Sequence, residues 1–206
     1  TISDALDKLL ITAGCEGIKP ITKGLKIVGT AYTVKYTPVS INPGTIGDYI
    51  DDTKEGDVIV LDNGGRTSCT IWGDILTKIA IKKGLAGTVI VGSCRDVDII
   101  LDYNSYPVFS RDYFMVTGKG RVQADVTQIP VSISNVRVCP GDLIFADGSG
   151  VLVIPNSKVA EVLYLSTEIE NAESAIRKAV DNGLSITEAR KKYSYHDLQS
   201  TLKSDL

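Results

Sequence analysis

The sequence predicts an α/β protein with a mixed sheet, a β-α-β core unit and a long C-terminal helix. Residues 58–61 and 88–91 are continuous apolar runs, and residues 74–83 between them have the periodicity of an amphipathic helix. Apolar residues at helical spacing over 157–183 predict the long helix. No linker divides the chain, so we expect residues 1–206 to form a single domain.

The composition is that of an ordinary globular protein. Of the 206 residues, 43% are hydrophobic and 23% are charged, which argues against long disordered segments. A formal net charge of -3 gives no electrostatic reason to expect nucleic-acid binding. No apolar run has the length of a membrane span and no signal-peptide pattern opens the chain. We therefore expect no membrane partner and a cytoplasmic location.

The inventory of reactive side chains limits the chemistry. Four cysteines lie far apart without a C-x-x-C pair, so we expect reduced, semi-buried thiols. The only histidine is His196, in a polar tail. A Ser-His-Asp or Cys-His arrangement and a multi-histidine metal site are therefore improbable within one chain. The remaining options are carboxylates, arginine, lysine or a metal with hard oxygen ligands.

The first half of the chain alternates helices and strands. Residues 2–12 predict an amphipathic helix with Ser3 as its N-cap, and the β-branched and aromatic run 27–36 predicts a strand. A short helix is expected over 45–52, capped by Thr45. The β-α-β unit follows, because apolar strands joined through a helix form a parallel crossover.

The second half predicts hairpins, a mixed sheet and a last short helix. Short β-runs alternate there with proline and glycine; they cover 108–110, 131–133, 136–138, 143–146 and 151–154. After the long helix, Ser185 and Glu188 form a capping box that predicts a helix to about Lys192.

The β-α-β unit is expected to bring distant polar residues together. The first strand ends at Asp62, and the helix begins near Gly73 and Asp74 at the carboxyl edge of that strand. About ten helical residues run roughly 15 Å down, and the next strand returns roughly 18 Å to the same edge. The segment 92–96, which ends in Arg95 and Asp96, is thereby delivered beside Asp74.

These residues suggest an anion and metal site. The amides of Ile75 and Leu76, with the Arg95 guanidinium, are placed to hold a carboxylate. Asp96 is a candidate oxygen ligand for Mg²⁺ or Mn²⁺, and Asp74 is placed to hydrogen-bond a water of that ion.

Each residue also has a structural interpretation. Asp74 is well suited to be a helix N-cap, and Asp96 is equally suited to cap a helix over 97–101. Arg95 is also compatible with an ion pair on a loop. From spacing alone, both interpretations stay open.

Asp74 is followed by twenty intervening residues and then by Arg95 and Asp96. This pattern, together with the segments 2–7, 73–76, 92–96, 140–142 and 150–155, resembles the family of regulators of ribonuclease E activity (RraA-like) and 4-hydroxy-4-methyl-2-oxoglutarate aldolases. The resemblance covers most of residues 1–183, and its sharpest element is the Asp, twenty residues, Arg-Asp pattern.

The resemblance implies a swivelling β/β/α domain, similar to phosphohistidine domains, and homotrimers or homohexamers with sites at subunit boundaries. It assigns Arg95 to the substrate carboxylate, Asp96 to the metal and Asp74 to a water. The start of the predicted helix adds Gly73, Ile75 and Leu76 to the expected substrate-binding residues. It also implies an acidic residue from the C-terminal helix of a neighbouring subunit, for which Glu170 and Glu173 are candidates.

The activity implied is that of a divalent-metal-dependent lyase acting on 2-oxo acids. We expect retro-aldol cleavage of 4-hydroxy-4-methyl-2-oxoglutarate-type substrates to pyruvate, oxaloacetate decarboxylation, or both, through one metal-stabilised pyruvate enolate. Family members that only inhibit ribonuclease E can lack the Asp after the Arg, and this chain retains Asp96. A non-catalytic regulator of a ribonuclease is the alternative.

Two further possibilities have weaker support in the sequence. A Schiff-base aldolase would use Lys78, Lys82 or Lys83, which lie towards the C-terminal end of the predicted helix, far from the carboxyl edge. A phosphate loop at 64–65 or 118–120 lacks the G-x-x-x-x-G-K-[ST] pattern, so turns are expected there.

Overall fold

A computed structural model of the chain describes residues 1–42 and 44–195, and the chain contains two compact units. One unit is Gly14–Asn156, and the other combines Thr1–Ala13 with Ser157–Leu206. His196 lies outside the described residues. The expected single domain over 1–206 stays a prediction.

The elements follow in chain order. The helices are α1 (Ile2–Lys8), α2 (Asp74–Lys82), α3 (Val97–Tyr103), α4 (Val159–Asp181) and α5 (Ile186–Lys192), with 3-10 turns at Asp48–Asp52 and Asn156–Lys158. The strands are β1 (Lys19–Pro20), β2 (Ile27–Pro38), β3 (Asp57–Asp62), β4 (Thr70–Trp72), β5 (Gly87–Cys94), β6 (Val108–Tyr113), β7 (Val122–Thr127), β8 (Val131–Ile133), β9 (Val136–Val138), β10 (Leu143–Asp147) and β11 (Gly150–Ile154).

The unit Gly14–Asn156 is built on a mixed sheet, as the sequence predicts. Strands β2, β3, β5 and β6 run parallel in its centre, in the order β6-β5-β3-β2. Antiparallel strands flank them: β1 pairs β6, β7 and β10 pair β2, and β11 pairs β10. Strand β4 adds to β5 in parallel, and β8 pairs β9 in a separate hairpin. The predicted parallel β3-α2-β5 crossover is confirmed.

The two central strands are apolar along their length because both faces of the sheet are covered. All eight residues of β5 and five of the six of β3 are buried. On one face Ile59 and Ile90 belong to a core that includes Ala80 of α2. On the other, Val58 and Val89 belong to a second core that includes the β8-β9 hairpin. These cores fix the position of the edge at which β3 and β5 end.

The second unit contains α1, α4 and α5, with 157–195 described. The predicted last helix is confirmed, since the side chain of Ser185 accepts from the Glu188 N–H and the Glu188 side chain accepts from the Ser185 N–H. Ile176, Ala179 and Ala189 form the small core between α4 and α5. In the described part of the chain, every helix is too short or too polar to cross a membrane.

Two predicted helix boundaries are wrong. Helix α1 ends at Lys8 rather than near Thr12, and Thr1 rather than Ser3 is its N-cap. The left-handed conformation of Leu10, with φ 58°, ends the helix.

The helix expected over 45–52 is a shorter 3-10 turn, Asp48–Asp52, with Gly47 as its N-cap. The Thr45 carbonyl instead accepts the Ala124 N–H at 2.8 Å, so its backbone is tied to β7 and cannot start a helix.

Candidate active site

The carboxyl edge of β5 is where the Asp74 and Arg95-Asp96 segments meet. Strand β4 extends along β5, with Thr70 opposite Ser93 and Trp72 opposite Cys94. The Arg95 N–H then donates to the Trp72 carbonyl at 3.0 Å. The chain segments on either side of this pairing, Gly73-Asp74 and Arg95-Asp96, are therefore held side by side, as the β-α-β geometry predicts.

The contact between the two segments leaves no room for a side chain at Gly73 unless the Asp96 carboxylate moves. Oδ2 of Asp96 accepts the Asp74 N–H at 3.4 Å. A Cβ on Gly73 would lie 2.6 Å from the same oxygen, well inside van der Waals contact. Gly73 itself has an extended backbone with φ -161°, so its lack of a side chain, and not its φ, is what the site requires.

Asp96 adopts a left-handed conformation, with φ 57° and ψ 37°. Its Oδ2 lies 3.3 Å from Nε of Arg95, and the two side chains are 29% and 41% exposed. Asp96 is the N-cap residue of α3, as the structural interpretation predicts, but its side chain makes no capping hydrogen bond. A left-handed non-glycine residue is a small backbone strain that often marks a functional position.

The N-terminus of α2 points free amides at the same place. Gly73 is the N-cap, and the first intrahelical bond joins the Thr77 N–H to the Gly73 carbonyl at 3.1 Å. The amides of Ile75 and Leu76 precede that bond and are available to an anion. The N-cap interpretation of Asp74 is wrong, since Asp74 is the first helical residue.

The Asp74 carboxylate has no hydrogen-bond or ion-pair partner among the described residues, although its side chain is partly buried. A helix N-terminus attracts negative charge, which favours a carboxylate at this position. Asp74 is therefore free to bind a water or a ligand.

A cavity of about 420 Å³ opens beside these groups. Five of the six predicted site residues line it: Gly73, Asp74, Ile75, Leu76 and Arg95. Asp96 is not among the lining residues. Its carboxylate lies directly behind the cavity wall, where it contacts three lining residues, Gly73, Asp74 and Arg95.

Sequence reasoning missed part of the cavity wall. The additional lining residues are 44–48, 70–72, Thr117 and Lys119. Their approach depends on main-chain contacts, such as the hydrogen bond from the Gly118 N–H to the Thr70 carbonyl at 2.8 Å. No local motif could have indicated it.

Other candidate nucleophiles near the site have little support. Burial raises the pKa of the Cys94 thiol to about 11, so this cysteine is protonated at neutral pH. The lysines of the Schiff-base alternative, Lys78, Lys82 and Lys83, do not line the cavity, and Nζ of Lys83 donates to the Asp51 carbonyl. The chemistry of the site rests on carboxylates and a guanidinium.

The carboxylates of the site are few for a divalent cation. No group of three His, Cys, Asp or Glu side chains in the described part of the chain could enclose a metal. Mg²⁺ does not need such a cage, because it keeps several waters and uses one or two carboxylates with the substrate. The solvent-accessible carboxylates of Asp96 and Asp74, next to a cavity, fit that mode of binding.

The candidate residues on the C-terminal helix lie on α4, with Glu170 exposed and Glu173 partly buried. Glu170 and Glu173 each pair with Arg177 in the same helix. A role for either carboxylate at a neighbouring subunit's site stays a prediction.

The chain is similar in sequence to a known family and to two named proteins. The RraA-like family model, described as Aldolase/RraA, matches residues 1–153. Protein DlpA of Legionella pneumophila is 44% identical over 94% of this chain, and the chain spans about a third (32%) of its length. A Halalkalibacterium halodurans protein with the name "Putative 4-hydroxy-4-methyl-2-oxoglutarate aldolase" is 33% identical over 90% of this chain and 86% of its own.

A solved structure extends the likeness to the fold. RraAS2 of Streptomyces coelicolor, described as an unusual member of the RNase ES inhibitor RraA protein family, superposes with a TM-score of 0.76. It is 26% identical and covers 84% of this chain and 89% of its own. The expected swivelling β/β/α fold is thereby confirmed.

Proposed function

The chain belongs to the RraA-like (Aldolase/RraA) family, and we propose that it is a divalent-metal-dependent carbon-carbon lyase that releases pyruvate from 2-oxo acids. The substrates are of the 4-hydroxy-4-methyl-2-oxoglutarate type, oxaloacetate, or both. One observation carries the proposal: Asp74, Ile75, Leu76 and Arg95 line one cavity, with Asp96 beside them. Within residues 1–42 and 44–195 the Asp74 carboxylate has no hydrogen-bond or ion-pair partner. The relatives named as aldolases support the same reaction class.

Binding of the substrate uses the cationic side of the site. Arg95 neutralises the carboxylate next to the keto group, and the amides of Ile75 and Leu76 donate hydrogen bonds to it. Binding of this carboxylate at one end of the substrate fixes the orientation of the C3–C4 bond in the site.

The carboxylates supply the remaining chemistry. Asp96 would hold the cation, with water and substrate completing its ligands. Mg²⁺ or Mn²⁺, when bound, supplies a Lewis acid for the negative charge that develops on the keto oxygen. Asp74 orients a water that takes the proton of the C4 hydroxyl as the C3–C4 bond breaks.

The electrons and the proton of the cleavage are all accounted for. The electrons of the C3–C4 bond pass to C3 and the keto group, giving pyruvate enolate, while C4 becomes the carbonyl of the second product. A proton returned by the Asp74 water to C3 gives pyruvate. Oxaloacetate loses CO₂ to the same enolate, so one site serves both reactions.

The oligomer is part of this proposal. A homotrimer or homohexamer would let the C-terminal helix of one subunit bring Glu170 or Glu173 to the site of the next. Both residues lie on α4, where their carboxylates are partly exposed.

The test is a panel of oxo acids assayed for pyruvate release with wild type, Asp96→Asn and Asp98→Asn. Asparagine tolerates the left-handed backbone of Asp96, so its variant removes the charge and not the conformation. Asp98, exposed on α3, is the matched control. We expect kcat/KM to fall about 100-fold or more for Asp96→Asn, or ~2.7 kcal/mol of transition-state stabilisation, and not for Asp98→Asn.

A chelator gives a second test of the same proposal. Activity should disappear with chelator and return with Mg²⁺ or Mn²⁺. Equal activity of wild type and Asp96→Asn, or activity that survives chelation, would contradict the proposal. Trapping of pyruvate by borohydride would instead support the Schiff-base alternative.

The second candidate function is a non-catalytic regulator of a ribonuclease. The likeness to RraAS2 favours it, and that protein's description names RNase ES inhibition. A pull-down against purified ribonuclease E, measured beside oxaloacetate turnover, separates the two. Ribonuclease binding by a chain that turns over no oxo acid would select the regulator.

A further inference from the structure

Two cationic side chains line the cavity, and the proposed reaction uses only one of them. Arg95 follows β5, and Lys119 belongs to the turn between β6 and β7. Lys119 is exposed, and within the described part of the chain its Nζ has no ion-pair or hydrogen-bond partner. The Lys119 ammonium is therefore available to an anionic group of a ligand in this cavity.

The turn that carries Lys119 is anchored to the site. The Gly118 N–H donates to the Thr70 carbonyl at 2.8 Å, and the Thr70 N–H donates to the Val116 carbonyl at 2.9 Å. Gly118 is buried, and a Cβ there would lie 2.5 Å from the Thr70 carbonyl oxygen. The Lys119 N–H donates to Oγ1 of Thr117 at 3.2 Å. The backbone of Lys119 is therefore fixed by β4, the strand that leads into Gly73-Asp74.

The pairing also gives the spacing of the two cations. Thr70 lies between two neighbours, opposite Ser93 on one side and bridged to Thr117 on the other. Neighbouring strands lie about 4.8 Å apart, so the main chain at Thr117 lies roughly 10 Å from that at Ser93. Arg95 and Lys119 thus approach the cavity from places two strands apart, which suits two separate anionic groups on one small molecule.

We propose that Lys119 is a specificity-determining residue that binds the second, distal carboxylate of dicarboxylic 2-oxo acids. The inference rests on the proposed function, since Arg95 must hold the first carboxylate for Lys119 to meet the second. A charge-assisted hydrogen bond from the ammonium favours substrates with that group over otherwise similar ones without it. Substrates with one carboxylate leave Lys119 in water, where its charge costs nothing.

The kinetic test compares two substrates that share the C3–C4 cleavage and release pyruvate. 4-Hydroxy-4-methyl-2-oxoglutarate has two carboxylates, and 4-hydroxy-2-oxopentanoate has one. The proteins are the full chain as wild type, Lys119→Met, Lys119→Arg and Lys82→Met. Lys82 is an exposed lysine on α2 that does not line the cavity, and it serves as the matched control.

The expected result is a change in selectivity. For Lys119→Met, the ratio of kcat/KM for the dicarboxylate to that for the monocarboxylate falls about 10-fold, chiefly through KM of the dicarboxylate. Lys119→Arg restores most of the ratio, and Lys82→Met leaves it at the wild-type value. An equal loss for both substrates, or no change in the ratio, overturns the proposal.

A binding measurement separates this inference from the proposed function. Calorimetry with Mg²⁺ present compares 2-oxoglutarate with 2-oxopentanoate, which has the same chain length without the distal carboxylate. If wild type prefers 2-oxoglutarate and Lys119→Met loses that preference, while no hydroxy-oxo acid is cleaved, the role of Lys119 stands and the lyase proposal fails. If wild type has no preference, the role of Lys119 is wrong whether or not cleavage occurs.

Discussion

Two Gly-Asp pairs of identical sequence differ in backbone conformation and in the partners of their aspartate side chains. At Gly56-Asp57, which enters β3, the glycine has φ +82° and open space around it. The Asp57 carboxylate accepts the Lys54 N–H at 2.8 Å. At Gly73-Asp74, which enters α2, the glycine is extended and the Asp96 carboxylate fills its missing Cβ position. The Asp74 side chain has no partner among the described residues.

The difference distinguishes a turn from a site. A third pair, Gly141-Asp142, behaves like the first: Gly141 has φ +85° and open space. The Asp142 carboxylate accepts the Cys139 N–H at 2.8 Å and the Asn156 N–H at 3.1 Å. Where glycine supplies a positive φ and aspartate closes the turn, both residues serve the fold. Where glycine supplies room and aspartate stays unpaired, both are available for chemistry.

The largest effect that this comparison predicts is on catalysis at Asp74. Asp74→Asn should lower kcat for pyruvate release about 100-fold, because the amide cannot accept a proton through its water. The free energy of unfolding in urea should fall by only about 0.5 kcal/mol, because the variant loses the attraction between the carboxylate and the helix N-terminus but no described hydrogen bond of the side chain. A variant that loses stability instead of activity would make Asp74 a turn residue like Asp57.

The next effect concerns the room at Gly73. Gly73→Ala places a methyl group 2.6 Å from the present position of Asp96 Oδ2, so that carboxylate must move. We expect Mn²⁺ affinity, measured by electron paramagnetic resonance, to fall about 10-fold. Gly148→Ala, where a Cβ would meet no atom within 4 Å and which does not line the cavity, is the control. Unchanged Mn²⁺ affinity in Gly73→Ala would separate Asp96 from the metal.

A smaller effect, on stability, is expected at Asp142. Asp142→Ala removes a buried carboxylate that accepts the amides of Cys139 and Asn156 in two partly buried hydrogen bonds. The free energy of unfolding should fall by about 2 kcal/mol in urea titrations. The kcat/KM of the folded enzyme should not change, and a specific loss of turnover would contradict the division between turn and site.

The smallest effect is expected at Gly56. Gly56→Ala should cost about 1 kcal/mol of unfolding free energy, because alanine is strained at φ +82°. Gly56→Asn should cost less, since asparagine tolerates that conformation. Thermal unfolding of both variants measures the order, and a greater loss for asparagine would show that space rather than φ governs this turn.

The sequence predicted the part of the site that secondary structure alone brings together. Buried runs and helix periodicity were enough to place Asp74 beside Arg95-Asp96, because a crossover returns the chain to the edge it left. The Gly-Asp dipeptide alone did not distinguish a site residue from a turn residue. Asp57 and Asp142 stand in the same sequence context as Asp74, and only their hydrogen bonds separate the three.

The rest of the cavity depends on long-range pairing. Strand β4 has three residues, which are too few to show a hydrophobic pattern. Thr70 of this strand nevertheless binds the turn before β7, because its hydroxyl donates to the Val116 carbonyl, 46 positions away. Lys119 and the 44–48 segment reach the cavity only because of such pairings. The sequence indicated a turn at 118–120, and its position depended on a strand that the sequence did not reveal.

The single tryptophan of the chain gives this cavity a natural optical reporter. Trp72 lies directly before Gly73, is 2% exposed, stacks on Tyr106 and donates from Nε1 to Oγ1 of Thr77. Trp72 is one of the residues that line the cavity beside the N-terminus of α2. Intrinsic fluorescence, excited selectively at one side chain, would follow the arrival of any occupant without labelling.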